Sequence, residues 1–199
     1  MIASANPFRA DCVEALPFRF VDGNWDALLA RLEARGWRGA LVGPKGSGKT
    51  TLLESLRRHF VQRGMIVTAL RLSARAAERR PSGAPRTPLP WRRLARLGPG
   101  DALLLDGAEQ LGWPAWWRLR ATTRRAGAVV VTTHRTGRLP AAALTRTTPA
   151  LLEALVRALT PPGDLPTPSA IQILFDQHQG NVRAALASLY DDWSVRSPG

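Results

Sequence analysis

The stretch Gly43-Pro44-Lys45-Gly46-Ser47-Gly48-Lys49-Thr50 limits what this chain can fold into more than any other. It matches G-x-x-x-x-G-K-[ST] in full. A short apolar run, residues 39 to 42, precedes it, and a helical pattern follows from Lys49 and Thr51 to Phe60. Glycines let such a loop turn tightly, so that successive N–H groups point inward at phosphate oxygens, and the helix that follows adds the positive end of its dipole. In this pattern Lys49 reaches the outer phosphates and the Thr50 hydroxyl coordinates Mg²⁺. A strand before the loop and a helix after it are the context in which the pattern binds nucleotide. Lysine usage points the same way. Of 28 cationic residues only two, Lys45 and Lys49, are lysine, and both fall inside the loop. A compact ammonium on a flexible stem suits a phosphate cradle where a planar guanidinium does not. Residues Gly43 to Thr51 are therefore read as a nucleotide site.

Residues 103 to 111, LLLDGAEQL, supply a second element. A buried strand ending in Asp106 offers a carboxylate for magnesium at the carboxyl edge of a sheet. Many nucleotide-hydrolysing proteins place a glutamate directly after that aspartate, and here the position is Gly107. Asp101 begins the same strand and should lie at its far end, which leaves Glu109 as the nearby carboxylate. A short helix over residues 107 to 110 would aim Glu109 at the attacking water as a general base. Thr132, Thr133 and His134 end the next strand and should emerge at the same edge. Thr133 is the candidate for sensing the terminal phosphate, although pleat parity leaves open which of the three faces it.

Around these motifs the chain alternates strand and helix patterns, as a parallel sheet flanked by helices requires. Helices are expected over residues 26 to 36, after the loop, and in the Trp-rich segment that begins WPAWW. Strands are expected at 39 to 42, 65 to 72, 101 to 106 and 128 to 133. A Pro/Gly-rich insertion at 73 to 90 reads as a mobile loop. After Pro149 no strand pattern follows, and helical stretches occupy roughly 149 to 159, 167 to 178 and 181 to 193. The expected organisation is an α/β core with an N-terminal extension over 1 to 146, then a three-helix lid over 147 to 199.

Composition narrows the setting. Forty-five per cent hydrophobic residues and seven tryptophans fit a folded globule. One cysteine, Cys12, excludes an internal disulfide framework and fits a reducing compartment. The opening MIASANPFRADC has no apolar core behind a basic end, and no apolar run approaches the roughly 20 residues that cross a bilayer. A soluble, cytoplasmic protein without membrane insertion is expected. The net charge of +13 is unevenly spread. Residues 71 to 97 hold eight Arg and one acid, residues 118 to 146 hold seven Arg and none, and from 147 onward three Arg face five acids. Such a surface attracts phosphate backbones without reading sequence, so nucleic acid joins protein as a possible partner.

Strand–loop–helix, LLLD and a strand ending in TTH together resemble the P-loop NTPases with an additional central strand. HQGNVRAALASLYD, residues 178 to 191, is similar to the stretch in the helical lid of AAA+ ATPases whose arginine contacts the γ-phosphate. The resemblance implies ATP and Mg²⁺ as ligands, Gly43 to Thr51 as the phosphate loop, Asp106 and Thr50 on the metal, Thr133 as a sensor and Arg183 as the lid arginine. It implies an ATPase that couples Mg-ATP to a conformational change acting on a protein or nucleic-acid partner. Two other readings stay open: a non-hydrolysing, nucleotide-dependent regulatory module, and a small-molecule kinase. An ABC-type reading lacks any LSGGQ-like stretch.

Overall fold

The computed structural model describes residues 6–72 and 89–196. Most of the Pro/Gly-rich insertion expected as a mobile loop therefore lies outside the described residues. Five strands, β1 (Arg38–Val42), β2 (Ile66–Arg71), β3 (Asp101–Asp106), β4 (Ala128–Thr133) and β5 (Ala141–Leu144), form one sheet in the order β2-β3-β4-β1-β5. Every pairing is parallel. The α/β class with a parallel sheet is the fold the sequence led us to expect.

The strand sequences explain the order. All six residues of AVVVTT in β4 are buried, as are the four central residues of DALLLD in β3, and both strands are interior. Parallel strands covered on both faces read as continuous apolar runs. At one edge β2 is only partly buried, with Ile66 at its outer end exposed. The opposite edge, β5, was not among the expected strands. Its sequence, AAAL, carries little intrinsic strand preference, and its extended form comes from pairing with β1 through a register shift between Ala40 and Leu41.

The helices are α1 (Ala10–Ala15), α2 (Trp25–Glu33), α3 (Lys49–Gln62), α4 (Trp91–Leu94), α5 (Trp113–Thr122), α6 (Pro149–Leu159), α7 (Pro168–Gln177) and α8 (Val182–Arg196). Local chemistry sets their starts. Asn24 caps α2 by accepting from Ala27 N at 2.8 Å. Thr148 and Thr167 cap α6 and α7 by accepting from Leu151 N and Ala170 N. In both cases the next residue is a proline, whose missing N–H costs nothing in the first turn.

Two compact units divide the chain. One comprises Gly23–Gly43 and Leu52–Leu144 and holds the whole sheet. Its core gathers Leu103, Leu105, Val129 and Val131 with Leu94, Leu111, Trp116 and Leu119. The other comprises Met1–Asp22, Pro44–Thr51 and Thr145–Gly199. Its core joins Phe8 to Leu152, Val156, Ile171, Val182 and Leu186. Asn6, buried, ties the N-terminal segment to α8: Nδ2 donates to Tyr190 O at 2.8 Å and to Ser194 Oγ at 3.0 Å. Among the described residues no helix is long and apolar enough to cross a membrane.

In the sheet-bearing unit, α3 ends in an aromatic nest. His59 lies 5.7 Å from Trp25, 5.9 Å from Phe60 and stacks at 6.3 Å on Trp37. Its Nε2 is shut off from solvent with no hydrogen-bond partner among the described residues. Burial, and secondarily the charge of Arg63, holds the imidazole below its ordinary pKa. The folded state therefore binds fewer protons than the unfolded state once pH falls below about 6.5, and stability declines as pH drops through that window. Urea unfolding at pH values on either side of it should show a smaller acid loss for His59→Phe than for the parent. Equal losses would remove His59 from the account.

Candidate functional site

The phosphate-loop candidate begins where β1 ends. Gly43 N donates to Thr133 O at 3.2 Å, and the chain then leaves the sheet. Within the loop the carbonyl of Pro44 is the common acceptor. It takes the Ser47 hydroxyl at 2.8 Å and Lys49 Nζ at 2.6 Å. With its proton committed there, Ser47 Oγ accepts from Thr145 Oγ1 at 2.7 Å. Ser47 and Lys49 are buried, whereas Lys45 is exposed, so the two lysines that look alike in sequence occupy different settings. α3 opens at Lys49 with no acidic residue in its first turn, which leaves its dipole unopposed by a carboxylate there.

Backbone conformation fits the same ligand. Gly46 and Gly48 take φ of +80° and +79°, a left-handed region that side-chain-bearing residues seldom enter. A Cβ at position 46 would also collide with the Asn181 side chain. Turned backbone, a buried ammonium and the Thr50 hydroxyl make a donor set that suits phosphate and a hard cation.

Asn181 is the residue that sequence reasoning missed. It stands at the start of α8, where its Oδ1 accepts from Ala184 N at 3.2 Å, and it packs on Gly46. It lies in the stretch HQGNVR, two residues before Arg183. The Arg183 guanidinium instead pairs with Glu14 at 3.5 Å, both side chains largely exposed. A pair so exposed contributes at most about 1 kcal/mol.

In the sheet-bearing unit a second cluster surrounds Asp106. The register pairs Leu105 with Val131, so the next residues, Asp106 and Thr132, stand side by side. Thr132 Oγ1 donates to Asp106 Oδ1 at 2.6 Å and accepts from Gly107 N at 2.8 Å. The other carboxylate oxygen takes Arg71 Nε at 3.1 Å, an arginine delivered by the matching end of β2. Thr133 points elsewhere, and its hydroxyl donates to Arg135 O at 2.6 Å. Pleat parity thus joins Thr132, rather than Thr133, to Asp106.

Gly107 explains the missing glutamate. Its φ is +84°, and a Cβ there would meet Leu72 O at 2.6 Å. Any side chain at this position is excluded by both strain and contact. The turn it permits leads into a short 3₁₀ helix, Ala108–Gln110. That helix carries Glu109 to the end of β4, where Oε1 meets His134 Nε2 at 3.1 Å. Glu109 Oε2 is closed off from solvent without a hydrogen-bond partner among the described residues. Arg138 is close enough for the Glu109 charge to favour its protonated form, although burial, the larger effect, pulls its pKa down. Among the described residues no group of three or more His, Cys, Asp or Glu is gathered to hold a metal.

Comparison with known proteins gives one finding of family. A family model described as AAA domain matches residues 22–142, more than half of the chain. No curated protein matches it.

The Thr132 hydroxyl serves two partners, so its removal orphans both the Gly107 N–H and one bond of a carboxylate. Thr132→Val should destabilise the protein by about 1–3 kcal/mol, and Thr132→Ser should recover most of that loss. Denaturant unfolding of the two variants checks this, and equal stability of Val and Ser variants would contradict it.

Proposed function

The chain belongs to the AAA domain family, and on that premise we propose that it is an ATPase coupling Mg-ATP to a conformational change that acts on a protein or nucleic-acid partner. The carrying observation is the loop itself: two left-handed glycines and a buried Lys49 whose ammonium donates to the Pro44 carbonyl. Backbone N–H groups between Lys45 and Thr51 and the ammonium of Lys49 would hold the phosphates. Thr50 and Asp106 are the residues that would ligate magnesium, which would supply neutralisation of charge on phosphate oxygens. Membership of the additional-strand class is supported by β4 lying between β1 and β3.

Glu109 is assigned as general base. Its Oε2, without a hydrogen-bond partner among the described residues, retains lone pairs for the proton of a water admitted to it, while the contact of Oε1 with His134 orients the group. Thr132 fixes the rotamer of Asp106, and Thr133 remains the sensor candidate, acting through the turn it holds at Arg135. The helices over residues 147 to 199 are assigned as the lid. Their Asn181 rests on Gly46, and Arg183 leaves its weak pairing with Glu14 to meet the γ-phosphate.

A second reading is favoured by a different observation. Arg71 on Asp106 competes with a cation for the same carboxylate, and Gly107 cannot supply a base. In that reading the nucleotide fixes a conformation and is not consumed.

Titration calorimetry tests the shared part: Lys49→Ala should weaken Mg-ATP binding by roughly ten- to a hundred-fold, the loss of one charge-assisted contact. Equal affinity would sink nucleotide binding at this loop. Single-turnover hydrolysis separates the two readings. Glu109→Gln should keep ATP affinity and lose turnover, and a parent that binds ATP without hydrolysing it, with or without DNA, supports the conformational reading instead.

A further inference from the structure

Helix α5 carries a feature that the phosphate chemistry leaves unused. Trp116 and Leu119 are each 1% exposed and fill the core, while Trp113 and Trp117 are each 57% exposed. The two exposed indoles stand four residues apart, hence on one face, about 6 Å apart along the axis. Single exposed apolar residues are ordinary, but paired tryptophans on one helix face mark a contact surface.

The surroundings of these rings identify what they contact. The Arg138 guanidinium lies 4.6 Å from the centroid of Trp113, and that of Arg120 lies 5.0 Å from Trp117. Each ring, with an arginine already against it, keeps most of its area open to solvent. Arg120 and Arg138 also line one shallow surface depression together with residues 136 to 141. Arg118, Arg124 and Arg125 are exposed on the same helix and the turn that follows it. Between Glu109 and Glu153 the sequence holds no acidic residue. A face this cationic and aromatic, with the Glu109 carboxylate near Arg138 at its margin, complements a ligand with negative charges and flat rings in alternation.

We propose that this face of α5 binds single-stranded nucleic acid, with bases stacking on Trp113 and Trp117 and phosphates lying along the exposed Arg120. Every base has a π-face, so such stacking tolerates any sequence. The spacing of the indoles selects the single strand. Bases in a duplex are 3.4 Å apart and stacked on one another, whereas two rings about 6 Å apart along a helix engage bases only in a strand that has opened. The proposal stands apart from the nucleotide reading, since none of these residues belongs to the phosphate loop or the Asp106 cluster.

The test is fluorescence anisotropy without ATP, at low salt, on a labelled oligothymidylate of about 20 nucleotides, longer than a site of roughly 4–16. An oligouridylate of the same length tells DNA from RNA, and a blunt DNA duplex and inorganic polyphosphate serve as competitors. The parent should bind a single strand and prefer it to both competitors. Trp113→Ala/Trp117→Ala should weaken binding about 25-fold or more, about fivefold for each lost stack, with polyphosphate affinity unchanged. Trp113→Phe/Trp117→Phe, which keeps a π-face at each position, should stay within severalfold of the parent. The proposal is overturned if the parent retains neither oligonucleotide, if duplex or polyphosphate binds as tightly as the single strand, or if the Phe pair loses as much as the Ala pair.

Discussion

Five strands running in one direction deliver their carboxyl ends to a single edge, and the chemistry of the sheet-bearing unit depends on that constraint. Antiparallel neighbours would alternate, leaving half of the strand ends on the far side. Here Val42, Asp106 and Thr133 end their strands together, and Arg71 arrives level with Asp106 through the β2–β3 register. A side chain at such an end is oriented by the ladder behind it, so a short polar group reaches its neighbour without a long, flexible reach. Thr132 shows the benefit. Its hydroxyl is fixed by a fully buried strand and orders both a carboxylate and the backbone turn after it.

The turn has consequences for how a carboxylate is supplied. Leu72 continues β2 past its last paired residue, donating its N–H to Asp106 O at 2.8 Å, and its own carbonyl then closes over Gly107. Backbone fills the space that a side chain would need. The next carboxylate, Glu109, lies two residues onward, on a short helix that the glycine makes possible. The Glu109 carboxylate pairs with His134 and lies near enough to Arg138 for its charge to be felt there.

Legibility in the sequence followed the range of the interactions. A tight loop at residues 43 to 50 was readable because its spacing encodes its own hydrogen bonds: Pro44, Ser47 and Lys49 satisfy one another within six positions. Interior strands were readable because burial on both faces demands unbroken apolar runs. β5 was not, since alanines carry no strand signal and its conformation is imposed by β1. The choice between Thr132 and Thr133 rested on a register that only the folded sheet defines. Asn181 was invisible for the same reason, its contact with Gly46 being made across a large separation in sequence. Arg183 was legible by resemblance alone, whereas its pairing with Glu14, far away in sequence, was not.

The unit that contains the phosphate loop is assembled from three separated pieces of chain, Met1–Asp22, Pro44–Thr51 and Thr145–Gly199. The Ser47–Thr145 bond alone spans 98 positions. During synthesis the five strands are complete before Thr145 is added, and chain segments fold as they emerge. A nascent chain can therefore pair its sheet while the loop still lacks the hydroxyl that holds Ser47 and the asparagine that rests on Gly46. The contacts that fix this loop arrive late, with the final helices, so a half-made molecule has its sheet before the loop is held.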